Sequence, residues 1–239
     1  MFKVKIADLV VEIDHIYPFV KEICKSYIYT GDGFDFRIKS TQADIDKERA
    51  ITSEEGYSDG YLENICIYRQ IALRLLEKDA FVMHAAVIGV GDKAYAFTAK
   101  SGTGKSTHIA LWKRFLGDRV SVINGDKPIL RFIDGKLYAY GTPWCGKEMW
   151  NTNMRAELNG LCFLERAKEN KIVKITPMEA SPLVMKQILI PNDAEGVIKT
   201  FEMVDKMLSI TNLWRLGCNI SQEAAIKAYM AMHGGYNEN

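Results

Sequence analysis

The sequence is poor in the features that mark the special classes of protein. Its five cysteines (Cys24, Cys66, Cys145, Cys162, Cys218) are odd in number, scattered and without a C-x-x-C pair, which argues against a disulfide framework and against a cysteine-built zinc site. No stretch approaches the ~18 apolar residues of a membrane span. The opening Met1-Phe2-Lys3-Val4-Lys5 lacks the apolar centre and cleavage site of a secretion signal. An excess of one charge is missing too: 31 Lys+Arg stand against 30 Asp+Glu, a formal charge of +1, so nothing suggests a nucleic-acid partner. Internal repeats and low-complexity runs are absent. What is there is the 48% hydrophobic, 26% charged balance of a globular chain, long enough to bury a core without covalent staples. The expectation is a soluble, cytoplasmic protein with neither nucleic acid nor membrane as partner.

The hydrophobic pattern alternates between strand and helix. Residues 2–13 read as one or two strands, Tyr17–Tyr27 as a short helix and Phe34–Lys39 as a half-buried strand. The polar stretch Thr41–Gly60 reads as a mobile loop. Over Tyr61–Lys78, Leu62, Ile65, Cys66, Tyr68, Ile71, Ala72, Leu75 and Leu76 recur at helical spacing. Ala80–Ile88 and Ala94–Thr98 are apolar strands, Lys105–Leu116 a helix and Val120–Ile123 a strand. Ile129–Ile133 and Leu137–Tyr140 form a hairpin through Asp134-Gly135. Leu161–Glu165 and Ile172–Ile175 look like another antiparallel pair. Helices over Pro182–Ile190, Ala194–Ile210 and Glu223–Met232 flank a strand over Leu213–Cys218. The antiparallel pairs argue against a purely parallel sheet. The prediction is a mixed α/β sheet in one domain, 1–239, with residues 1–79 a β-rich N-terminal extension and helix, and 80–239 the core.

The chemistry is carried by Ala99-Lys100-Ser101-Gly102-Thr103-Gly104-Lys105-Ser106-Thr107. A phosphate-binding loop has the pattern G-x-x-x-x-G-K-[ST] between a strand and a helix. Glycines let backbone N–H groups converge on phosphate oxygens, and the following helix adds its N-terminal amides and dipole. Ser101, Gly102, Thr103, Gly104, Lys105, Ser106 and Thr107 are the candidate nucleotide-binding residues. Lys105 is expected on the β/γ-phosphates and the Ser106 hydroxyl on Mg²⁺. Ala99 stands where the first glycine should be, a strain only if its φ is positive. The alternative is an ordinary strand–turn–helix with a solvated lysine.

Such a loop needs a carboxylate at the end of a neighbouring strand, and Val120–Asn124 leads through Gly125 to Asp126. Asp126 is the candidate metal ligand with Ser106, and the candidate acceptor of a proton from an attacking hydroxyl; the alternative is a turn residue before Lys127-Pro128. Tyr140–Glu148, with an exposed-looking Trp144 and Lys147, reads as an acceptor-side or lid loop in which Lys147 stabilises a transferring phosphoryl group; the alternative is a structural turn with a buried Trp144 and a solvated Lys147. Arg155 and Arg166 are weaker candidates, and Cys145 has no evident base. His15, His108 and His233 read as structural or solvated.

From His84 to Asp126 the chain resembles the catalytic domain of HPr kinase/phosphorylase, and more loosely the nucleotide core of ATP-dependent phosphoenolpyruvate carboxykinase. His84 lies fifteen residues before Ala99, Ser101–Ser106 matches the loop core, and Asp126 matches the second of the family's two aspartates. The resemblance implies a mixed-sheet P-loop kinase domain and puts His84 beside the phosphates, orienting Asp126 or polarising the phosphoryl group. Gly125 stands at the first aspartate, and residues 1–79 do not look like that family's N-terminal domain. The function expected is an ATP- and Mg²⁺-dependent kinase, with Lys105, Asp126, His84 and Lys147 as its catalytic residues. It would transfer the γ-phosphoryl group to a hydroxyl of a small molecule or peptide. The alternatives are a nucleotide-binding module or switch without acceptor chemistry, and a carboxykinase-like enzyme. No N-K-x-D guanine motif is present.

Overall fold

Strand pairing sorts the chain into two sheets. The computed structural model describes residues 1–52 and 56–234. The smaller sheet starts with the antiparallel hairpin β1 (Phe2–Ile6) and β2 (Leu9–Asp14). Its two turn residues, Ala7 and Asp8, both have positive φ (51° and 58°), the backbone that matches the twist of paired strands. β3 (Phe36–Lys39) adds parallel to β2. Three helices accompany this sheet: α1 (Phe19–Ile23), α2 (Gln42–Ile51) and α3 (Asp59–Leu75). α2 corrects the loop expected over Thr41–Gly60. It is a polar helix with no apolar stripe to betray it, started by a capping box between Thr41 and Asp44. Residues 53–55 of that stretch lie outside the described residues.

The larger sheet takes β4 (Ala80–Val82), β5 (Ala86–Val90), β6 (Lys93–Thr98), β7 (Val120–Asn124), β8 (Ile129–Ile133), β9 (Lys136–Tyr140) and β10 (Arg155–Arg166) in the order β4-β8-β9-β10-β6-β5-β7. The single strand expected over Ala80–Ile88 is therefore two. β4 stands at one end of the sheet and β5 next to the other, with only Met83, His84 and Ala85 between them. Three residues cannot span an open sheet of this width, so the sheet curls until its ends nearly meet, and His84 sits in the seam. β10 forks the sheet: its start pairs with β9, and its end pairs in parallel with β12 (Asn212–Cys218). β11 (Lys171–Lys174) pairs with β12 rather than with β10, correcting the expected pair of Leu161–Glu165 with Ile172–Ile175. The alternation that suggested that pair is satisfied by β12 inserting between them.

Four more helices cover the curled sheet: α4 (Lys105–Leu116), α5 (Pro177–Val184), α6 (Ala194–Ile210) and α7 (Gln222–His233). α5 begins five residues before the expected start because Thr176 and Glu179 form a capping box and Pro177 takes the first turn. Inside the curl, Val87, Ala96, Ile123, Leu161 and Phe163 pack on Val184, Met203, Met207 and Leu208 of α5 and α6. On the outer face, α4 and α7 bury Ile109, Trp112, Ala224 and Ala228 against Ile88, Tyr95 and Phe97. Each large apolar side chain so buried is worth about 1.5–3 kcal/mol. A third cluster joins the small sheet and α3 to Val82, Ile129, Tyr140 and Trp144, which fastens residues 1–79 to the larger sheet. No helix among the described residues is long and apolar enough to cross a membrane.

Candidate active site

Strand direction brings the candidate residues to one edge. β5 is antiparallel to both β6 and β7, so β6 and β7 run the same way, and β10 is parallel to β6. The ends of β6, β7 and β10 and the start of β5 therefore share one border, the usual place for a ligand on an α/β sheet. The loop 99–104 leaves β6 there, Asp126 follows β7, Arg166 ends β10, and His84 precedes β5.

The loop has the backbone that its glycines allow. Gly102 and Gly104 hold φ of +77° and +125°, values that a side chain would resist. Ala99 is buried and is not among the residues with positive φ, so the missing glycine costs the loop nothing there. Gly104 caps α4 without a side-chain acceptor, leaving the first-turn amides directed outward. Arg166 donates to the Gly102 and Thr103 carbonyls and clamps the loop from β10; it was only a weak candidate in the sequence. A cavity of about 750 Å³ opens over the loop, lined by Lys100, Ser101, Thr103, Arg166, Lys186 and His84 among others.

Lys105, at the start of α4, is buried and reaches across the seam, its Nζ 2.8 Å from His84 Nε2. Burial lowers the pKa of its ammonium, and the charge of Asp126 opposes that. His84 Nε2 is also 3.1 Å from Asp126 Oδ1, while its Nδ1 lies 3.0 Å from Gln187 Oε1. Nε2 can serve only one of its two neighbours at a time. Unprotonated it accepts from Lys105, and protonated it donates to Asp126. Two bonds hold the main chain of His84: its amide donates to the Gln187 carbonyl, and Thr98 Oγ1 donates to its carbonyl.

Asp126 is held by the turn that follows β7. The buried Asn124 accepts from the amides of Asp126 and Lys127 through Oδ1 (2.8 and 2.7 Å) and donates to Thr142 through Nδ2. Burial by itself would raise the Asp126 carboxyl. Hydrogen bonding from His84 and the charge and hydrogen bond of Lys127, at 2.8 Å, outweigh it and hold the pKa at about 2. A Cβ at Gly125 would stand 2.7 Å from the Cys145 carbonyl oxygen and 3.3 Å from that of Trp150. An aspartate therefore does not fit at the position where the resembled family carries its first one.

The structure brings Lys105, His84 and Asp126 together, but Lys147 is exposed and enters none of these contacts. Trp144 corrects the expectation of an exposed ring: it is buried and donates from Nε1 to Asn64 of α3. Cys145 is buried, and burial with the nearby Asp126 charge raises its thiol. Arg155 pairs with Asp8 and Tyr140, away from the loop. His15 bonds the Tyr17 carbonyl, His233 the Tyr95 hydroxyl, and His108 accepts from Trp112. Sequence reasoning missed Gln187, Asn124, Thr142 and Lys127. Asn124 and Lys127 flank Gly125-Asp126 in the chain and were visible as turn residues; Gln187, over a hundred positions from His84, gave no signal.

Among the described residues no three His, Cys, Asp or Glu side chains gather as a metal site. Oxygen-bearing side chains at this edge include the ionised Asp126 and, lining the loop cavity, Ser101, Thr103 and Glu165, with Ser106 on the first turn of α4; hard oxygens suit magnesium. No family model and no curated protein matches the sequence. Among solved structures, the chain is similar to the Hpr(Ser) kinase/phosphatase from Coxiella burnetii, with a TM-score of 0.36 and 10% identity over 64% of this chain and 99% of that one, a distant likeness of fold.

Proposed function

We propose that the protein is a kinase that moves the γ-phosphoryl group of Mg·ATP to a hydroxyl of a small molecule or peptide. One observation carries this reading. The lysine of the phosphate-type loop lies 2.8 Å from His84 Nε2, which in turn lies 3.1 Å from a carboxylate held ionised. The loop amides, Lys105 and the cationic wall of the cavity suit a polyphosphate. Ser106 and Asp126 are the residues that would hold magnesium, which would offset the negative charge of the phosphates.

In this reading the arriving phosphates draw Lys105 away from His84. With its hydrogen on Nε2, His84 then donates a hydrogen bond to Asp126, keeping that hydrogen, and orients the carboxylate, which stays ionised. The acceptor oxygen bonds to the γ-phosphorus as the bond to the β–γ bridging oxygen breaks, ADP leaves, and Asp126 takes the hydroxyl proton. A carboxylate this acidic is a weak base. That suffices for a loose transition state, in which positioning and charge carry most of the catalysis. A nucleotide switch without acceptor chemistry would have no use for a cavity on Asp126; one is present, lined by Asp126, Lys127 and Trp144.

The test is γ-labelled ATP and Mg²⁺ with a fractionated extract of small molecules and peptides, with Lys105→Ala as control. Label on an acceptor, lost in the variant, supports the kinase. Tight ATP binding with every fraction unlabelled favours the switch.

A further inference from the structure

The cavity on Asp126 measures about 570 Å³ and is separate from the one over the loop. Its walls come from three places: Phe19 and Ile23 of α1, Ile65 and Tyr68 of α3, and Trp144 and Met149 of the segment after β9. The N-terminal residues are anchored there firmly. Glu63 is fully buried on α3 and accepts from the amides of Ile16 and Tyr17 at 2.6 and 2.9 Å, which holds the entry to α1 against α3.

Three of the polar side chains lining this cavity are already engaged. Asn64 Oδ1 accepts from Trp144 Nε1 at 2.8 Å, Arg69 pairs with Glu48 at 3.1 Å, and Lys127 pairs with Asp126 at 2.8 Å. What faces an occupant is mainly aromatic and aliphatic carbon, with Asp126 as the proton acceptor and the exposed Lys147 also lining the space. A sugar or polyol would set most of its hydroxyls against carbon walls that cannot bond them. A molecule with one hydroxyl on an apolar body would bury its carbon and present its oxygen to Asp126.

We propose that this cavity receives the phosphoryl acceptor, and that the acceptor is a hydroxyl compound with an apolar or aromatic body rather than a sugar or polyol. The inference rests on the kinase reading above. It makes residues 1–79 the substrate-selecting part of the enzyme, with α1 and α3 as two walls of the pocket.

The experiment uses the full chain with 2-phenylethanol as probe and glycerol and glucose as comparison alcohols. Binding of each alcohol and of Mg·ATP is followed by calorimetric titration, and transfer is followed from γ-labelled ATP. The expected result is saturable binding of 2-phenylethanol at about 1 mM, fitting for so small a ligand, and labelling of it in preference to the polyols. Ile65→Asp is expected to lower both by about tenfold or more. Met149→Asp, at an exposed position on the same cavity, serves if Ile65→Asp does not fold. Label passing to glycerol or glucose as readily as to 2-phenylethanol, unaffected by these substitutions, overturns the inference and leaves the kinase standing. Failure to bind Mg·ATP in the same titrations overturns both.

Discussion

The loop at 99–107 and the turn at 124–128 face each other across one seam, and they hold their functional side chains by different means. The loop is nearly self-sufficient: Gly102 and Gly104 take positive φ, the Thr103 amide bonds the Lys100 carbonyl, and α4 starts at Lys105. From outside the loop Arg166 bonds its carbonyls and His84 meets Lys105. The turn depends on distant chain. Asn124 bonds Thr142, the Gly125 amide bonds the Trp150 carbonyl, and the Lys127 amide bonds that of Trp144. The loop side is therefore written in consecutive residues, and the carboxylate side is written in the packing of residues 141–152. It follows that the turn should be the more fragile half under mutation, and the loop the more tolerant.

The largest effect is expected at the carboxylate itself. Asp126→Asn should lower phosphoryl transfer by about 10³-fold, within the range of a lost general base, while equilibrium dialysis still finds ATP bound. Retained transfer would remove Asp126 from the mechanism. Next comes the contrast between the two glycine-related positions. Gly125→Ala forces a Cβ onto the Cys145 carbonyl oxygen and should cost about 1–3 kcal/mol in urea unfolding, as overpacking does. Ala99→Gly should cost under about 1 kcal/mol, since Ala99 already has an unstrained backbone. Equal losses would erase the difference between loop and turn.

Gln187→Ala removes the partner of His84 Nδ1 and should slow transfer about fivefold, the worth of one hydrogen bond, with no change in unfolding midpoint. A variant as active as the parent would detach Gln187 from the site. The smallest effect lies behind the loop, at His108 on α4. Burial pushes its imidazole down to about 3, against an ordinary value near 6.5. Between those values the unfolded chain binds a proton that the folded chain does not. Stability from this group is intact above about pH 6.5 and falls as the pH drops below it. The loss from pH 7 to 6 should be about 0.7 kcal/mol, and unfolding of His108→Gln at the two pH values should show that slope removed.

Legibility followed range. Helices α4 and α6 have the bounds their sequences announce, because the 3.6-residue stripe and the flanking loop residues are local. The hairpin of β8 and β9 was readable from Asp134-Gly135, both with positive φ. α2 was hidden because its stabilising signal is a cap rather than an apolar face. The break at His84 was hidden because the residues around it are apolar on either side, and only the curl of the sheet separates β4 from β5. Of the three side chains that meet in the seam, Lys105 and Asp126 were singled out by motif and strand context, and His84 by a family resemblance. Gln187, Thr142 and Asn64 were not.

The sequence by itself determined the glycine loop that leads into α4, the carboxylate after the next strand and the alternation of strands and helices, because each is set by neighbours within a few residues. Only the tertiary structure decided that the sheet curls, that His84 stands between Lys105 and Asp126, and that α1 and α3 wall a cavity on the carboxylate. Those facts depend on which distant segments exclude water together, and no local pattern records that choice.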